Sequence, residues 1–201
     1  MARYERKDHF HQRAKAEGYR SRAAFKLAEL QTAHKLLRRG DRVVDLGCWP
    51  GGWLQVAAEA VGPRGLVVGI DLATTEALDF ENAIALVGDF SAAEVQAEIL
   101  ARLGGAPAQV VLSDAAPKLT GVRDRDRAAE EELLLAVESA LPRLLRPGGT
   151  LLLKILEGPE AQTIDKRLRS GFGSARTLKP KATRKGSTER YLFARDYRPQ
   201  E

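Results

Sequence analysis

Apolar positions along this chain gather into short dense blocks, and between the blocks they thin out to a helical spacing. The first four blocks are RVVDLG (42–47), LVVGID (66–71), IALVGDF (84–90) and AQVVLSDAAP (108–117). Each is rich in Val, Ile or Leu with little period-two alternation, as in strands covered on both faces. GTLLLKILEG (149–158) is a fifth, preceded by the turn signal LRPGG. The stretches 21–37, 52–61, 91–105, 125–145 and 159–170 predict helices, the first with Ser21 as candidate N-cap. SARTLKP (174–180) and RYLFARDY (190–197) predict two weaker strands joined by a loop rich in Lys and Arg. Regular alternation of strand and helix predicts a mostly parallel sheet with helices on both faces. No repeat, low-complexity tract or linker interrupts it, so residues 1–201 are expected to form a single α/β domain.

In such sheets ligands bind beyond the carboxyl ends of the strands. Those ends carry Asp45-Leu46-Gly47, Asp71, Asp89 and Asp114, and the fifth carries Lys154. Four consecutive acid-tipped strands followed by a lysine are poorly explained by surface solvation. A lone lysine in an apolar strand either snorkels to water or is paired, because burying an unpaired ammonium costs several kcal/mol. The loop VVDLGCWPGGW (43–53) has Gly47, Gly51 and Gly52, which let the backbone approach a ligand and open the next helix. It lacks both the G-x-G-x-x-G of dinucleotide sites and the P-loop lysine. Asp71 falls 20 residues after Gly51, where an acid binds ribose hydroxyls, and Asp89 stands where a base's exocyclic amine would lie. Trp53, on the helix's first turn, reads equally as core or as ligand contact. An acidic, phosphate-free loop suits cationic S-adenosylmethionine (SAM) better than NAD or ATP.

Charge changes the picture further. Residues 1–40 hold 11 Lys+Arg against 4 Asp+Glu, a net +7, and residues 165–201 repeat those numbers. The body between them, 41–164, holds 10 against 19, a net −9. Two basic segments flanking an acidic body suggest a polyanionic partner, most often nucleic acid. Arg20, Arg22, Lys179 and Lys181 are candidate contacts, whereas Arg123, Arg125 and Arg127 read as a solvated helix face. The single Cys48 excludes an internal disulfide, and with three histidines remote from it no transition-metal site is expected. There is no signal-peptide pattern and no apolar run of membrane-spanning length, so a cytoplasmic location is expected.

The stretches YRSRAAFKLAEL, VVDLGCWPGGW, GIDL, VGDF, VLSDAAP, PGGTLLLKILEG and STERYLFA occur in that order over residues 19–194. Together they resemble the bacterial FtsJ-type (RrmJ) ribosomal RNA 2′-O-methyltransferases, departing from the usual small residues at Cys48-Trp49. The resemblance implies a Rossmann-like SAM-dependent methyltransferase fold, a seven-stranded sheet with an antiparallel last strand. It also implies a catalytic tetrad of Lys26, Asp114, Lys154 and Glu189, with SAM contacts at Gly51, Trp53, Asp71, Asp89 and Asp114. The implied substrate is a uridine of large-subunit (23S) ribosomal RNA in the peptidyl-transferase region, with a monomeric enzyme expected; Lys154 then serves either as general base, the favoured reading, or as a charge that orients the hydroxyl while water takes the proton. Rival readings are a SAM methyltransferase on another RNA, a small molecule or a protein, or a non-catalytic RNA-binding module. The last would bind RNA without SAM and leave the acidic strand ends without a purpose.

Overall fold

The computed structural model describes residues 9–117, 120–155, 159–183 and 188–199. Strands β1 (Arg42–Leu46), β2 (Leu66–Asp71), β3 (Ala83–Val87), β4 (Ala108–Ser113) and β5 (Leu145–Ile155) pair in parallel. Strand β7 (Arg190–Tyr197) lies antiparallel between β5 and β6 (Phe172–Leu178). The seven-stranded order is β3-β2-β1-β4-β5-β7-β6, with the chain reversal between β1 and β4. The expected Rossmann-like arrangement with an antiparallel last strand is therefore present, and it puts the switch point where doubly wound folds bind ligands.

The blocks lack polar alternation because both faces of the sheet are covered. Val43, Val67, Val110 and Leu152 join one buried cluster with Leu27 and Leu30 of helix α2 (Ala23–His34) and Leu54 of α3 (Gly52–Val61). Their neighbours Val44, Val68, Val111 and Leu151 join the other. There they meet Ile99 of α4 (Ala93–Arg102), Leu134 and Leu141 of α5 (Arg123–Leu144), and Ile164 of α6 (Pro159–Ser170). Each such side chain contributes about 1.5–3 kcal/mol by leaving water, so polar residues on either face would be costly.

Some expected boundaries move. Helix α2 starts after Ser21, and no side chain caps it. It stops at His34 because Lys35 turns left-handed at φ 51. The third strand ends at Val87, since Gly88-Asp89 forms a turn in which the Asp89 carboxylate accepts the Ser91 N–H. A further short helix, α1 (His9–Ala16), precedes α2 in a stretch whose polar composition gave no periodic signal. The end of the predicted fifth strand, 156–158, lies outside the described residues.

Candidate active site

Gly47 closes the gap between two strand ends. Its φ of 80 is left-handed, and a Cβ there would fall 2.9 Å from the Ala115 Cα. Only glycine lets the β1 exit loop lie against the β4 exit loop, which brings Asp45 and Asp114 to one edge. Gly51 (φ 107) starts α3. Gly51 and Gly52 turn out to face the protein's own N-terminal segment: Arg20 crowds Gly51, and the Ser21 side chain sits where a Gly52 Cβ would go. They give the segment before α2 room to pack, a role the expected ligand approach did not include.

The departure at Cys48-Trp49 is accommodated by opposite orientations. Cys48 points inward over Gly69, and burial pushes its thiol up to about 12. The Trp49 side chain is 58% exposed, while its backbone N–H donates to Asp71 Oδ2 at 2.9 Å. Asp71 Oδ1 accepts the Ala73 N–H at 2.9 Å, so both carboxylate oxygens are oriented by backbone at the tip of β2. The Ser91 backbone and hydroxyl, by hydrogen bonding, hold Asp89 below the usual carboxylate range.

Of the two readings open for Trp53, core and ligand contact, the described side chain takes the place of a core residue. It is 3% exposed, its indole N–H donates to the Ala23 carbonyl at 2.9 Å, and its ring stands 5.9 Å from that of Tyr191. Almost none of its surface remains for a ligand to cover. Its place is behind the site, where it backs Tyr191. Arg20, a candidate RNA contact, has partners within the protein. Its guanidinium donates to the carbonyls of Glu76 (2.6 Å) and Ala77, and reaches that of Pro50, tying the N-terminal segment to the loop after β2.

Asp45 is wholly buried, and neither carboxylate oxygen has a hydrogen-bond partner among the described residues. Burial first, then the charges of Asp114 and Asp71, push its carboxyl well above the ordinary range. A buried acid without a partner is costly unless a ligand or a bound proton satisfies it. The strand ends thus bring together Asp45, Asp71, Asp89 and Asp114, a concentration of acids. This donor set fits a cationic, hydroxyl-bearing ligand such as SAM and does not fit a nucleoside phosphate.

Beside it, β4, β5, α2 and the start of β7 bring all four expected catalytic residues together. Lys154 Nζ lies 3.2 Å from Asp114 Oδ1 and donates to the Asp114 carbonyl. Lys26 Nζ lies 2.7 Å from Glu189 Oε1 and 3.8 Å from Asp114 Oδ2. The four side chains are between 6% and 16% exposed. The opening puzzle of β5 is resolved by pairing: Lys154 is nearly buried because two carboxylates and a second lysine accompany it, and two positive charges meet two negative ones. Burial raises Glu189, but the hydrogen bond and charge of Lys26, with Lys154, outweigh it and hold the carboxyl below its usual value.

One member was missed from sequence. Tyr191 is fully buried opposite Lys154 on β7; its hydroxyl donates to Asp114 Oδ1 at 2.7 Å, lies 3.2 Å from Glu189 Oε1 and accepts from Lys26 at 3.2 Å. It joins both ion pairs into one network. Burial, then the charges of Asp114 and Glu189, raise the phenol far above its ordinary value, so it serves as a neutral donor. The signal lay in its register with Lys154, which needs the order of strands rather than the local pattern.

A model of the FtsJ-like methyltransferase family matches residues 19–197. The chain belongs to that family. This FtsJ-like methyltransferase is 44% identical over 196 residues to the ribosomal RNA large subunit methyltransferase E of Methanothermobacter thermautotrophicus, covering 98% of this chain and 92% of that one. It is 43% identical over 190 residues to the protein of the same name from Alkalilimnicola ehrlichii, covering 94% and 90%. The similarity therefore reaches archaeal as well as bacterial proteins, wider than the bacterial family expected. Among solved structures, a Plasmodium falciparum ribosomal RNA methyltransferase superposes with a TM-score of 0.80 at 27% identity, covering 90% of this chain and all of that one. Aeropyrum pernix fibrillarin, solved with natively bound SAM, has the same fold at a TM-score of 0.64 and 19% identity, over 88% of this chain and 75% of that one. Among the described residues, no His/Cys/Asp/Glu group could hold a metal, and no helix is long and apolar enough to cross a membrane.

Proposed function

We propose that this FtsJ-like methyltransferase transfers a methyl group from SAM to a ribose 2′-hydroxyl of large-subunit ribosomal RNA, at a uridine of the peptidyl-transferase region, as a monomer. The observation that carries the chemistry is the closed Lys26–Glu189–Tyr191–Asp114–Lys154 network beside four acid-tipped strands. The RNA assignment rests on the family relatives and on the basic segments.

When bound, SAM supplies an electrophilic methyl on a sulfonium. Gly47 and Gly51 shape its loop, with Gly52 and Trp53 supporting that loop from behind. Asp71 would accept ribose hydroxyls of the cofactor, Asp89 the exocyclic amine, and Asp45 and Asp114 would face its positive charge. Lys154 Nζ, once it has released its own proton to become the amine, takes the proton from the acceptor 2′-oxygen as general base. Asp114 orients Lys154 through its carboxylate and its carbonyl. Lys26 and Glu189, linked through Tyr191, position the acceptor ribose.

Asp45 gives a test of the cofactor site with a stability readout. Its folded value lies above the unfolded one, so its contribution to stability is full below the ordinary aspartate value and lost as pH rises through the folded value. Asp45→Asn cannot ionise. It should melt at the same or a higher temperature than wild type at neutral pH, while calorimetry shows SAM affinity weakened about tenfold or more, the loss of one charge-assisted hydrogen bond. A lower melting temperature with unchanged SAM affinity would make Asp45 purely structural.

RNA binding is expected to fall with salt at roughly 0.7–0.9 in log K per log salt for each phosphate contact. Arg22→Ala with Lys179→Ala and Lys181→Ala should flatten that slope while SAM binding persists in chelator. Arg20 is left out of this set because its removal would loosen the cofactor loop. An unchanged slope in the triple variant would exclude these residues from the RNA surface.

A further inference from the structure

The edge of the sheet opposite the catalytic network carries a second concentration of positive charge. On β7, Tyr191, Phe193 and Arg195 share one face, and they run from the catalytic edge at Lys154 to the opposite edge at Thr150. Four residues of strand make that run about 13 Å. At its far end the guanidinium groups of Arg176 and Arg195 lie 5.0 and 4.7 Å from the centre of the buried Phe193 ring, which His34 also stacks against. Arg195 is accounted for by the fold, since it donates to the His34 carbonyl (2.7 Å) and the Lys35 carbonyl at the end of α2.

Lys35, Arg38 and Arg146 are not accounted for in this way, and Arg176 reaches the His34 ring nitrogen Nδ1 at 3.4 Å but no carboxylate among the described residues. All four are exposed, and none has an ion pair to a carboxylate among the described residues. Two adjoining hollows share Arg195 as their common wall. One, of about 180 Å³, is walled also by Arg176 and Phe193; the other, of about 150 Å³, by Lys35, Arg38 and Arg146. The single acid there, Asp41, is turned onto the Arg38 backbone N–H at 2.8 Å. Arg195 is held below its usual value by burial and then by Arg176 and Arg38, and His34 is lowered by burial and then by Arg176 and Arg195.

We infer that this edge is a second RNA contact that takes backbone phosphates of the substrate about one strand length from the methylated ribose. The inference rests on the RNA reading above. Guanidinium groups fixed against an aromatic ring are already oriented, so a phosphate orders fewer free rotors on binding them than on binding solvated lysines. Phosphate contacts of this kind position a nucleic acid without reading its sequence. The edge therefore engages only an RNA whose backbone runs on from the catalytic network to Arg38, about four phosphates at roughly 3.4 Å each, so a dinucleotide falls short of it.

The test compares wild type with the Arg38→Gln, Arg146→Gln, Arg176→Gln triple variant and with the corresponding Arg→Lys triple. The probes are a protein-free large-subunit RNA transcript, assembled large subunits and, as the short oligonucleotide, a uridine-containing dinucleotide. The Gln triple should lose about 2–3 units of salt slope on the transcript, with each single Gln substitution giving about a third of that. It should raise KM for the transcript about tenfold while kcat, SAM affinity and oligonucleotide binding stay at wild-type values, and the Lys triple should keep most of the slope. A Gln triple with the wild-type slope and KM on the transcript overturns the proposal, as does a loss seen only with protein-bearing subunits, which would make the edge a protein contact. If wild type itself shows no salt-dependent binding to the transcript, the RNA reading fails first and this edge with it.

Discussion

Lys154→Ala should lower single-turnover methyl transfer to large-subunit RNA by roughly 10²–10⁴-fold, the usual worth of a positioned base, while the protein folds and binds SAM as wild type does. The fold survives because Asp114 is not orphaned. It keeps the Tyr191 hydroxyl at 2.7 Å and Lys26 at 3.8 Å, and alanine leaves β5 apolar. Lys154→Arg separates charge from basicity. A guanidinium pairs with Asp114 but stays protonated below about pH 12, so it cannot accept the ribose proton. Its rate should remain close to that of Lys154→Ala. Near-native transfer by Lys154→Arg, measured with labelled SAM alongside a SAM titration, would reduce Lys154 to an orienting charge.

Lys26→Ala should be the most damaging substitution for stability. Its ammonium, 6% exposed, serves Glu189 at 2.7 Å, the Tyr191 hydroxyl at 3.2 Å and Asp114 at 3.8 Å. Removing one partner of a buried pair strands the other charge at a cost of about 3–5 kcal/mol. For a chain of this size that lowers Tm by about 6–20 °C. Lys26→Met combined with Glu189→Gln removes both charges and should recover much of the lost stability while activity stays low. The pH dependence has a defined sign. Glu189 is depressed in the folded state, so its stabilisation is full above the ordinary glutamate value, near pH ~4.3, and is lost as pH falls through the folded value. Wild type should therefore lose stability below that range more steeply than the double variant. An unchanged Tm for Lys26→Ala would mean that water already solvates the network.

What was legible in the sequence was what the strands' own pattern encodes. Blocks such as VVDLG and LVVGID, apolar at successive positions, declare two covered faces, and their last residues mark the ligand edge. Asp71, Asp89, Asp114 and Lys154 could be placed at that edge from the ends of their strands alone. Lys26 and Glu189 could not, since one lies on a helix and the other before a strand, and only the family resemblance linked them. Tyr191 stayed hidden because it looks like one more aromatic in RYLFARDY, and its value comes from lying opposite Lys154 after β7 inserts beside β5. The doubled glycines carry a second meaning. Besides opening the loop, Gly51 and Gly52 hold room for Arg20 and Ser21, because a glycine records that something comes close without recording what. Trp53 follows the same rule: its amphipathic ring suits a ligand wall, but its N–H found the Ala23 carbonyl.

The claim that the acceptor is a ribose hydroxyl served by Lys154 is tested most directly by locating the transferred methyl. Large-subunit RNA from a strain lacking the enzyme is incubated with labelled SAM and either wild type or Lys154→Ala, then hydrolysed in alkali. A 2′-O-methyl group blocks cleavage at its own nucleotide, so with wild type the label should appear in one alkali-resistant dinucleotide containing uridine, and with Lys154→Ala that product should be absent. Label released in mononucleotides would place the methyl on a base and contradict the ribose chemistry, and label in the same dinucleotide at wild-type yield from Lys154→Ala would contradict the role of the lysine.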